Sequence, residues 1–424
     1  MTDQNPSARF LWLLRPPVPI DRPTERIMLL VGAAALFAGY DMNVFGLAIP
    51  QIQASFAIPE NQVGLTVSYF RIAAILALLL AASADIVGRR RLLLFTIIGQ
   101  AVFTLLTAFA QDYGQFVGAQ FLTRVFGYAE EMLCIVVIAE EIDARARGWA
   151  NSALSGFSYF GAGLAALVFM AVNLLPYGWR AIYLIGAVPL FMVAYLRRRL
   201  PETQRFEMQQ VKIAGSRIAE SLALVRAMAR EYPRRLFTVL VAAAAFGFAV
   251  APASVLYSKY LQSTLGFSPG QVSMLIIPCG LVGLGLTIMA GRISDRIGRR
   301  PTGMAILLLA AGGFSLFYGG APGWALAPLW IVAFFGFFAG EALIAGFALE
   351  IMPTRYRATV SGLRYLCAIG AGALALALEG VFFDRFGAHG PAIQIMLLAI
   401  PIAMAAIWTL PEPAGKSLEE MTRA

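Results

Sequence analysis

The sequence predicts an all-α membrane protein in which 12 transmembrane helices form two parallel-repeat six-helix bundles. Three observations support this prediction: the composition, the placement of basic residues and an internal repeat. The 424 residues are 59% hydrophobic and 13% charged, whereas soluble domains are about 45–50% apolar and about 25% charged. This composition excludes a soluble enzyme, a nucleic-acid-binding domain and a secreted disulfide scaffold.

The apolar residues fall into stretches of about twenty, long enough to cross a bilayer core about 30 Å thick. We expect spans at 27–50, 62–84, 92–110, 115–139, 150–173, 179–199, 236–262, 270–291, 302–319, 324–350, 358–381 and 391–410. The predicted domains are a cytoplasmic N-terminal tail (1–26), an N-terminal six-helix bundle (27–199), a cytoplasmic linker loop (200–235), a C-terminal six-helix bundle (236–410) and a cytoplasmic C-terminal tail (411–424).

Basic residues mark one side of the predicted membrane protein. Of 33 Lys and Arg residues, 27 fall in tails and connections on one side, 3 on the other side and 3 within spans. The positive-inside rule then places both termini in the cytoplasm. We expect a multi-pass, monomeric protein of the bacterial inner (plasma) membrane, whose partners include the lipid bilayer, with no nucleic acid.

The residues that support metal or catalytic chemistry are scarce. The three cysteines all lie in apolar stretches, and the single histidine, His389, lies in a Gly-rich turn. Histidine-based metal sites and His-dependent catalytic triads are therefore excluded. We expect no cofactor, no metal and no enzymatic activity.

An internal repeat at an offset of 210 residues relates the two halves of the chain. The loop Asp-x-x-Gly-Arg-Arg occurs after the second and after the eighth span, and a Glu followed by an Arg occurs after the fourth and after the tenth. The matched residues are Asp85 and Asp295, Gly88 and Gly298, Arg89 and Arg299, Glu140 and Glu350, and Arg147 and Arg357. Parallel repeats of this kind indicate two bundles that rock about a central site.

These loops resemble the signature of the major facilitator superfamily. The segments Pro201-Glu-Thr-Gln204 and Pro411-Glu412 are similar to those of a branch that contains sugar porters and proton-coupled metabolite and aromatic-acid symporters. The resemblance implies two six-helix bundles that alternate access to a midplane cavity. It also implies that the ten matched loop residues form a cytoplasmic gate, locked when the cavity opens outward, with Gly88 and Gly298 allowing tight turns.

Three charged residues lie at one depth in the N-terminal half. Asp41, Arg71 and Arg124 each lie about nine residues inside the outer end of a span, which is about 13 Å at 1.5 Å per residue. A titratable residue inside a span is costly and is a functional candidate by default. We expect Asp41 to couple protons, and Arg71 and Arg124 to bind substrate.

The fourth span adds two acidic candidates for proton coupling, and two arguments disagree about them. Helical geometry places Gln120, Arg124 and Glu131 on one face, which makes Gln120 a further substrate-binding candidate. The resemblance instead favours Glu130, in a Gly-Tyr-Ala-Glu segment similar to the acidic motif of organic-anion symporters. Both glutamates therefore stay candidates.

The C-terminal half carries fewer charges. The positions 210 residues after Asp41, Arg71 and Arg124 are apolar, and only Glu131 has an acidic counterpart, Glu341. We expect Glu341 and the aromatic Tyr257 to contact substrate. Arg364 lies at a similar depth to Glu341, so the two can form an ion pair.

Two arginines facing one aspartate leave a guanidinium for a substrate carboxylate. The function predicted is proton-coupled symport of a small organic anion, an aromatic or other carboxylic acid, by alternating access. The alternatives are a sugar or polyol transporter, suggested by the terminal motifs, and a proton-antiport exporter. A membrane sensor or an intramembrane enzyme is a further class, but the sequence offers neither an appended soluble domain nor a catalytic constellation.

Overall fold

The computed structural model describes residues 22–142, 146–198 and 214–413, and these residues are almost entirely helical. In the N-terminal half, residues 22–198, a four-residue turn, Ala84–Val87, precedes α3. The six long helices of this half are α1 (Arg22–Phe56), α2 (Glu60–Ala82), α3 (Arg89–Ala108), α4 (Tyr113–Glu141), α5 (Arg147–Met170) and α6 (Trp179–Arg197).

The C-terminal half, residues 214–413, begins with a helix that precedes its first span. Its helices are α7 (Ala214–Glu231), α8 (Pro233–Val255), α9 (Pro269–Ile297), α10 (Arg299–Tyr318), α11 (Gly323–Glu350), α12 (Arg357–Phe386), α13 (His389–Leu397) and α14 (Ile400–Thr409). A short helical turn, Tyr257–Lys259, and a π-turn, Tyr260–Thr264, extend α8. The twelfth predicted span is thus two helices, because Pro401 lacks the N–H that would continue the hydrogen-bond ladder.

The two halves pack in the same pattern. In the N-terminal half α1 packs against α5, α2 against α4, and α3 against α4 and α6. The corresponding helices of the C-terminal half repeat these pairs: α8 packs against α12, α9 against α11, and α10 against α11, α13 and α14. The halves meet through three further pairs: α2 with α12, α5 with α9, and α1 with the turn Tyr257–Lys259. The packing confirms the predicted fold of two parallel six-span bundles.

Eleven helical segments in the described ranges are long and apolar enough to cross a membrane, and they match eleven of the predicted spans. The fourth predicted span, helix α4, is not among them, although its 29 residues pack between α2 and α3. It carries Arg124, Glu130 and Glu131, which lower its hydropathy. Helix α4 therefore depends on its neighbours to shield its charges.

Parts of the predicted domains lie outside the described residues: most of the N-terminal tail, positions 143–145 and 199 of the N-terminal bundle, positions 200–213 of the linker and positions 414–424 of the C-terminal tail. The domain boundaries stay predictions. The side chains of Asp85 and Arg147, two of the predicted gate residues, also lie outside the described part, so the role of these two residues in the gate stays a prediction.

Candidate functional site

A cavity of about 330 Å³ lies between the two halves. Helices α1, α2 and α4 form its wall on one side, and α8, α11 and α12 form the other. Most of the wall is apolar or aromatic, and its charged residues are Arg71, Arg124 and Glu341. All three were predicted from the sequence as substrate-binding residues.

Arg71 stands out among these charges because it has no hydrogen-bond or ion-pair partner within the described ranges. Its guanidinium reaches across the cavity towards the C-terminal half, where it approaches Gly372 of α12. Tyr128, Tyr365 and Glu341 act on Arg71 electrostatically, without a hydrogen bond or an ion pair to it. Arg71 thus presents an uncompensated positive charge between the two halves.

The other cavity charges are engaged by the protein itself. Arg124 donates through Nη1 to the backbone oxygen of Met42 at 3.0 Å and also contacts the Met42 sulfur. Glu341 accepts from Arg364 Nη1 at 2.6 Å, which confirms the ion pair predicted from their depth. Because the charges of Glu341 and Arg364 offset each other, the positive charges of Arg71 and Arg124 dominate the cavity, and of these two arginines Arg71 is the one without a hydrogen-bond partner in the described ranges.

Asp41 lies one layer behind the cavity wall and does not line the cavity. Its side chain is 1% exposed, Oδ1 accepts from Thr104 Oγ1 at 3.0 Å, and Oδ2 has no hydrogen-bond partner. Arg124 is close enough to act on it electrostatically, although no ion pair joins them. The predicted trio is therefore spread over two layers, with Asp41 behind the wall and with Arg124 and Arg71 both in the wall that the N-terminal half forms.

The two glutamates of α4 face different surroundings. Glu130 is paired with Arg197 of α6, both side chains being 1% exposed, and also accepts from Thr96 Oγ1 at 2.5 Å. Glu131 is exposed and interacts electrostatically with Tyr159 and Tyr365. Which of the two couples protons stays a prediction, but the structure gives Glu130 a partner of opposite charge and leaves Glu131 accessible.

Two further predicted substrate contacts fall in different places. Tyr257 lines the cavity and packs against the buried Trp330 with ring centroids 4.7 Å apart. Gln120 is buried away from the cavity, where its Nε2 donates to Thr107 Oγ1 at 3.1 Å. Gln120 contacts Arg124 only loosely, at 3.5 Å, so it can position that arginine but lies out of reach of a solute.

The predicted gate residues lie at the end of the molecule that we call the basic end, formed by the described residues at 82–89, 141–142, 146–147, 297–299 and 350–357. Gly88 and Gly298 both adopt positive φ, 99° and 114°, which confirms the tight turns expected there. Arg89 pairs with Glu140 at 3.0 Å, and its repeat counterpart Arg299 pairs with Glu350 at 2.9 Å. The repeat thus extends to individual ion pairs.

The other gate residues complete the C-terminal copy of this arrangement. Asp295 pairs with Arg299 at 2.7 Å, and Arg357 Nε donates to the Met352 backbone oxygen at 3.4 Å. Glu412 accepts from the backbone N–H groups of Arg299 and Arg300 at 2.7 and 2.9 Å, which caps α10. Each of these contacts joins residues of the same half, so their role as a lock between halves stays a prediction.

The opposite end, which we call the closed end, consists of the helix ends and loops at 56–60, 108–113, 170–179, 255–269, 318–323 and 386–389. Here polar side chains join the two halves. The pairs are Gln51 with Gln262 at 2.7 Å, Asn61 with Asp384 at 2.9 Å, Glu60 with Lys259 at 2.6 Å and Glu60 with His389 at 3.3 Å. These contacts close the cavity on that side.

Sequence reasoning missed three features of the site. Arg197 was counted with the linker, because it begins a run of three arginines at the end of a span; its position inside the sixth span was the available signal. Tyr128 and Tyr365 also line the cavity. Tyr128 belongs to the Gly-Tyr-Ala-Glu segment, which was considered only for its glutamate, and Tyr365 belongs to no motif identified in the sequence. His389 was set aside as a turn residue, and nothing in its local sequence shows the carboxylates that surround it.

Comparison with known proteins identifies similar sequences over nearly the whole chain. The profile described as Major Facilitator Superfamily matches residues 31–376. A probable 4-methylmuconolactone transporter of Cupriavidus pinatubonensis is 28% identical, covering 91% of this chain and 90% of the relative. A 3-(3-hydroxy-phenyl)propionate transporter of Escherichia coli is 29% identical, covering 90% of this chain and 95% of the relative.

Solved structures show the same architecture. The crystal structure of a D-xylose-proton symporter superposes with a TM-score of 0.75 and covers 93% of this chain and 99% of that chain, at 20% identity. At this identity the similarity establishes the fold and does not extend to the substrate.

Proposed function

Because the chain belongs to the Major Facilitator Superfamily, whose matched relatives are membrane transporters and not enzymes, we propose that it moves a small organic anion of the aromatic carboxylate class together with protons. The observation that carries this proposal is the unpartnered guanidinium of Arg71 in the wall of the central cavity. A buried charge without a counterion is strongly unfavourable, so the site favours a ligand of opposite charge. A planar guanidinium also matches a carboxylate in bidentate geometry.

The aromatic part of the proposal comes from the cavity wall and from a relative. Phe45, Phe70, Tyr257 and Phe337 give the wall flat apolar surfaces, and a volume of about 330 Å³ lies at the small end of ligand pockets, about 300–1,000 Å³. The relative of Escherichia coli named for 3-(3-hydroxy-phenyl)propionate transports an aromatic carboxylate. A single aromatic ring with a short acid side chain suits both features.

The position of Asp41 supports the proton-coupled part of the proposal. With Asp41 ionised, its charge offsets part of the positive charge of Arg124, which lies between it and the cavity. Protonation of Asp41 removes that offset, so the cavity becomes more positive and holds an anion more tightly. Proton and substrate anion thereby bind with positive coupling. Glu130 has no part in this scheme because Arg197 already pairs with it.

The Arg71 proposal is tested by comparing an acid with its neutral analogue. Uptake of 3-(3-hydroxyphenyl)propionate and of its primary amide is measured in proteoliposomes for the wild type and for Arg71→Gln. Loss of a charge-assisted hydrogen bond is worth about 1.5–3 kcal/mol, so we expect at least about a 10-fold loss for the acid and little change for the amide.

The matched control is Ser254→Ala, which changes the same cavity wall but removes only a hydroxyl that donates to its own helix, to the Ala251 backbone oxygen at 3.1 Å. We expect it to leave both substrates unaffected. Equal losses for acid and amide in Arg71→Gln contradict the proposed anion site and favour a packing role or a neutral substrate such as a sugar.

The proton part is tested with Asp41→Asn, which preserves the oxygen that accepts from Thr104. We expect accumulation driven by an imposed pH gradient to be lost, while exchange of labelled for unlabelled substrate continues, because exchange needs no net proton movement. Full concentrative uptake in this variant would remove Asp41 from the coupling mechanism.

A further inference from the structure

Four ionisable side chains meet at the closed end, outside the central cavity. Glu60 begins α2 in the N-terminal half, whereas Lys259, Glu379 and His389 belong to the C-terminal half. His389 Nδ1 lies 2.5 Å from Glu379 Oε1, and its Nε2 lies 3.3 Å from Glu60 Oε2. Lys259 Nζ lies 2.6 Å from the same Glu60 oxygen. We call these four residues the latch cluster.

The geometry of the latch cluster requires a proton beyond those of a neutral imidazole. An ionised carboxylate only accepts hydrogen bonds, and a neutral imidazole has a single N–H. Both ring nitrogens of His389 face carboxylate oxygens, so both contacts are hydrogen bonds only when His389 is protonated or one carboxyl carries the proton. The cluster as built is therefore a proton-loaded arrangement.

Charge and burial indicate that the closed conformation favours this proton. His389 is 6% exposed, and the side chains of Glu379 and Lys259 are 0% and 1% exposed, while Glu60 is 44% exposed. With the proton, the cluster holds two positive and two negative charges. Without it, a net negative charge stays in a largely buried site, where an unpaired charge is costly.

When the two halves separate at this end, the charges around His389 favour its unprotonated form instead. Glu60 moves away with α2, and Lys259, Glu379 and His389 stay together. The net charge of these three residues is zero when His389 is unprotonated and positive when it is protonated. Proton binding and closure therefore support each other, as linkage requires of any ligand that prefers one of two states.

The other groups around His389 do not change the net charge of the latch cluster. The Phe383 ring packs on the imidazole with centroids 4.5 Å apart. The Tyr318 hydroxyl donates to the Ala253 backbone oxygen at 2.6 Å, and Asp384 is hydrogen-bonded to Asn61. The amide of Gln53 accepts from Lys259. None of these groups brings a positive charge close to the histidine in addition to that of Lys259.

We propose that the latch cluster is a second proton-binding site, separate from Asp41, whose proton holds the closed end shut whether or not substrate is present. Acid on the side to which this end opens then favours the closed conformation. The proposal concerns the empty carrier and does not depend on which solute the cavity accepts.

The test measures the distance across the closed end as pH changes, without substrate. Spin labels are placed on Leu174→Cys and Trp324→Cys, two exposed positions on opposite halves, in protein in lipid nanodiscs. Cys134, Cys279 and Cys367 are replaced by alanine, and Asp41→Asn is present in every variant so that its titration does not contribute. Distance distributions are recorded from pH 5 to pH 8.

We expect the ratio of closed to open molecules to rise as pH falls, by about 5- to 150-fold, the usual range of such couplings. In His389→Gln the ratio should not change with pH. Glu60→Gln is a second variant, at a more exposed position, in which the ratio should also not change with pH. Without the Glu60 charge, the net charge around His389 is the same in the closed and the open conformation.

The matched control is Gln51→Ala, which removes a contact between halves that contains no titratable group. It should lower the closed fraction at every pH and keep the slope. A wild type that shows no pH response, or a response that persists in both His389→Gln and Glu60→Gln, overturns the proposal. Either result leaves the Arg71 and Asp41 experiments unaffected.

Discussion

The closed end and the basic end are built from similar polar residues but connect them differently. At the closed end the hydrogen bonds and ion pairs run between the two halves, as Asn61 with Asp384 and Glu60 with Lys259. At the basic end the described ion pairs, Arg89 with Glu140 and Arg299 with Glu350, stay within one half. Rocking of the halves therefore breaks contacts at the closed end and leaves those of the basic end intact.

The largest expected effect comes from preventing separation at the closed end. In a variant without the native cysteines, Asn61→Cys and Asp384→Cys are joined by a short, reducible thiol crosslinker. We expect transport in proteoliposomes to stop completely and to return after reduction, because α2 and α12 can no longer part.

The control is the same crosslinker on Glu231→Cys and Arg355→Cys, an exposed ion pair at the basic end that joins α7 to the turn before α12. Both residues lie in the part of the chain that the structure describes as the C-terminal half, 214–413, so joining them should leave transport close to that of the uncrosslinked protein. Undiminished transport with the closed end crosslinked would show that α2 and α12 do not separate during transport.

A smaller effect is expected from loosening the closed end. Helix α12 approaches α2 so closely that a Cβ at Gly380 would overlap the backbone oxygen of Asn61, whereas Gly370 on the same helix faces open space. Gly380→Ala should destabilise the closed conformation by about 1–3 kcal/mol, as overpacking does. Thiol labelling of a cysteine at the buried Leu261 should accelerate accordingly.

Gly370→Ala supplies the comparison for that measurement, because it adds the same methyl group to α12 without a clash. Its labelling rate should match that of the parent protein. If the two alanine variants label at the same rate, the close contact of α2 with α12 does not determine how often this end opens.

The smallest effect is expected from weakening either copy of the repeated ion pair, and the two copies should differ in how much stability is lost. Arg89 and Glu140 side chains are 8% and 11% exposed, against 24% and 29% for Arg299 and Glu350. Glu140→Gln should therefore lower stability by about 1–3 kcal/mol, the cost of weakening a buried partner. Glu350→Gln should cost less than about 1 kcal/mol, because solvent screens the pair and Asp295 still holds Arg299.

Melting temperatures of the two purified variants in detergent test this order. The same measurements with substrate-free protein at raised salt should reduce the loss only for Glu350→Gln, since exposed pairs are screened more than buried ones. A larger loss for Glu350→Gln than for Glu140→Gln would mean that burial does not rank these two pairs.

Much of the fold follows from local rules. Span length, the positive-inside bias and the repeat each rest on properties of a short segment, so they predicted twelve spans and their pairing in two halves. The turn residues Gly88 and Gly298 were predictable for the same reason, because positive φ is a local demand.

The candidate site was predictable in part. Depth along a helix brought Arg71, Arg124 and Glu341 to the cavity and Glu341 to Arg364, but depth says little about rotation around the helix. Asp41 and Gln120 thus proved to lie behind the wall, and Glu130 to face Arg197. The four residues of the latch cluster come from three segments far apart in sequence, and no local pattern predicts that they meet.

The pairing of Glu130 with Arg197 has a consequence for how the chain enters the bilayer. Because of its charged residues, helix α4 is not apolar enough to be counted among the membrane-spanning helices. Arg197, whose positive charge neutralises Glu130, is synthesised only at the end of α6. During synthesis α4 therefore lacks its partner until two more helices have emerged. Stable residence of α4 in lipid is expected to await α6, which makes the first six spans a single unit of biogenesis.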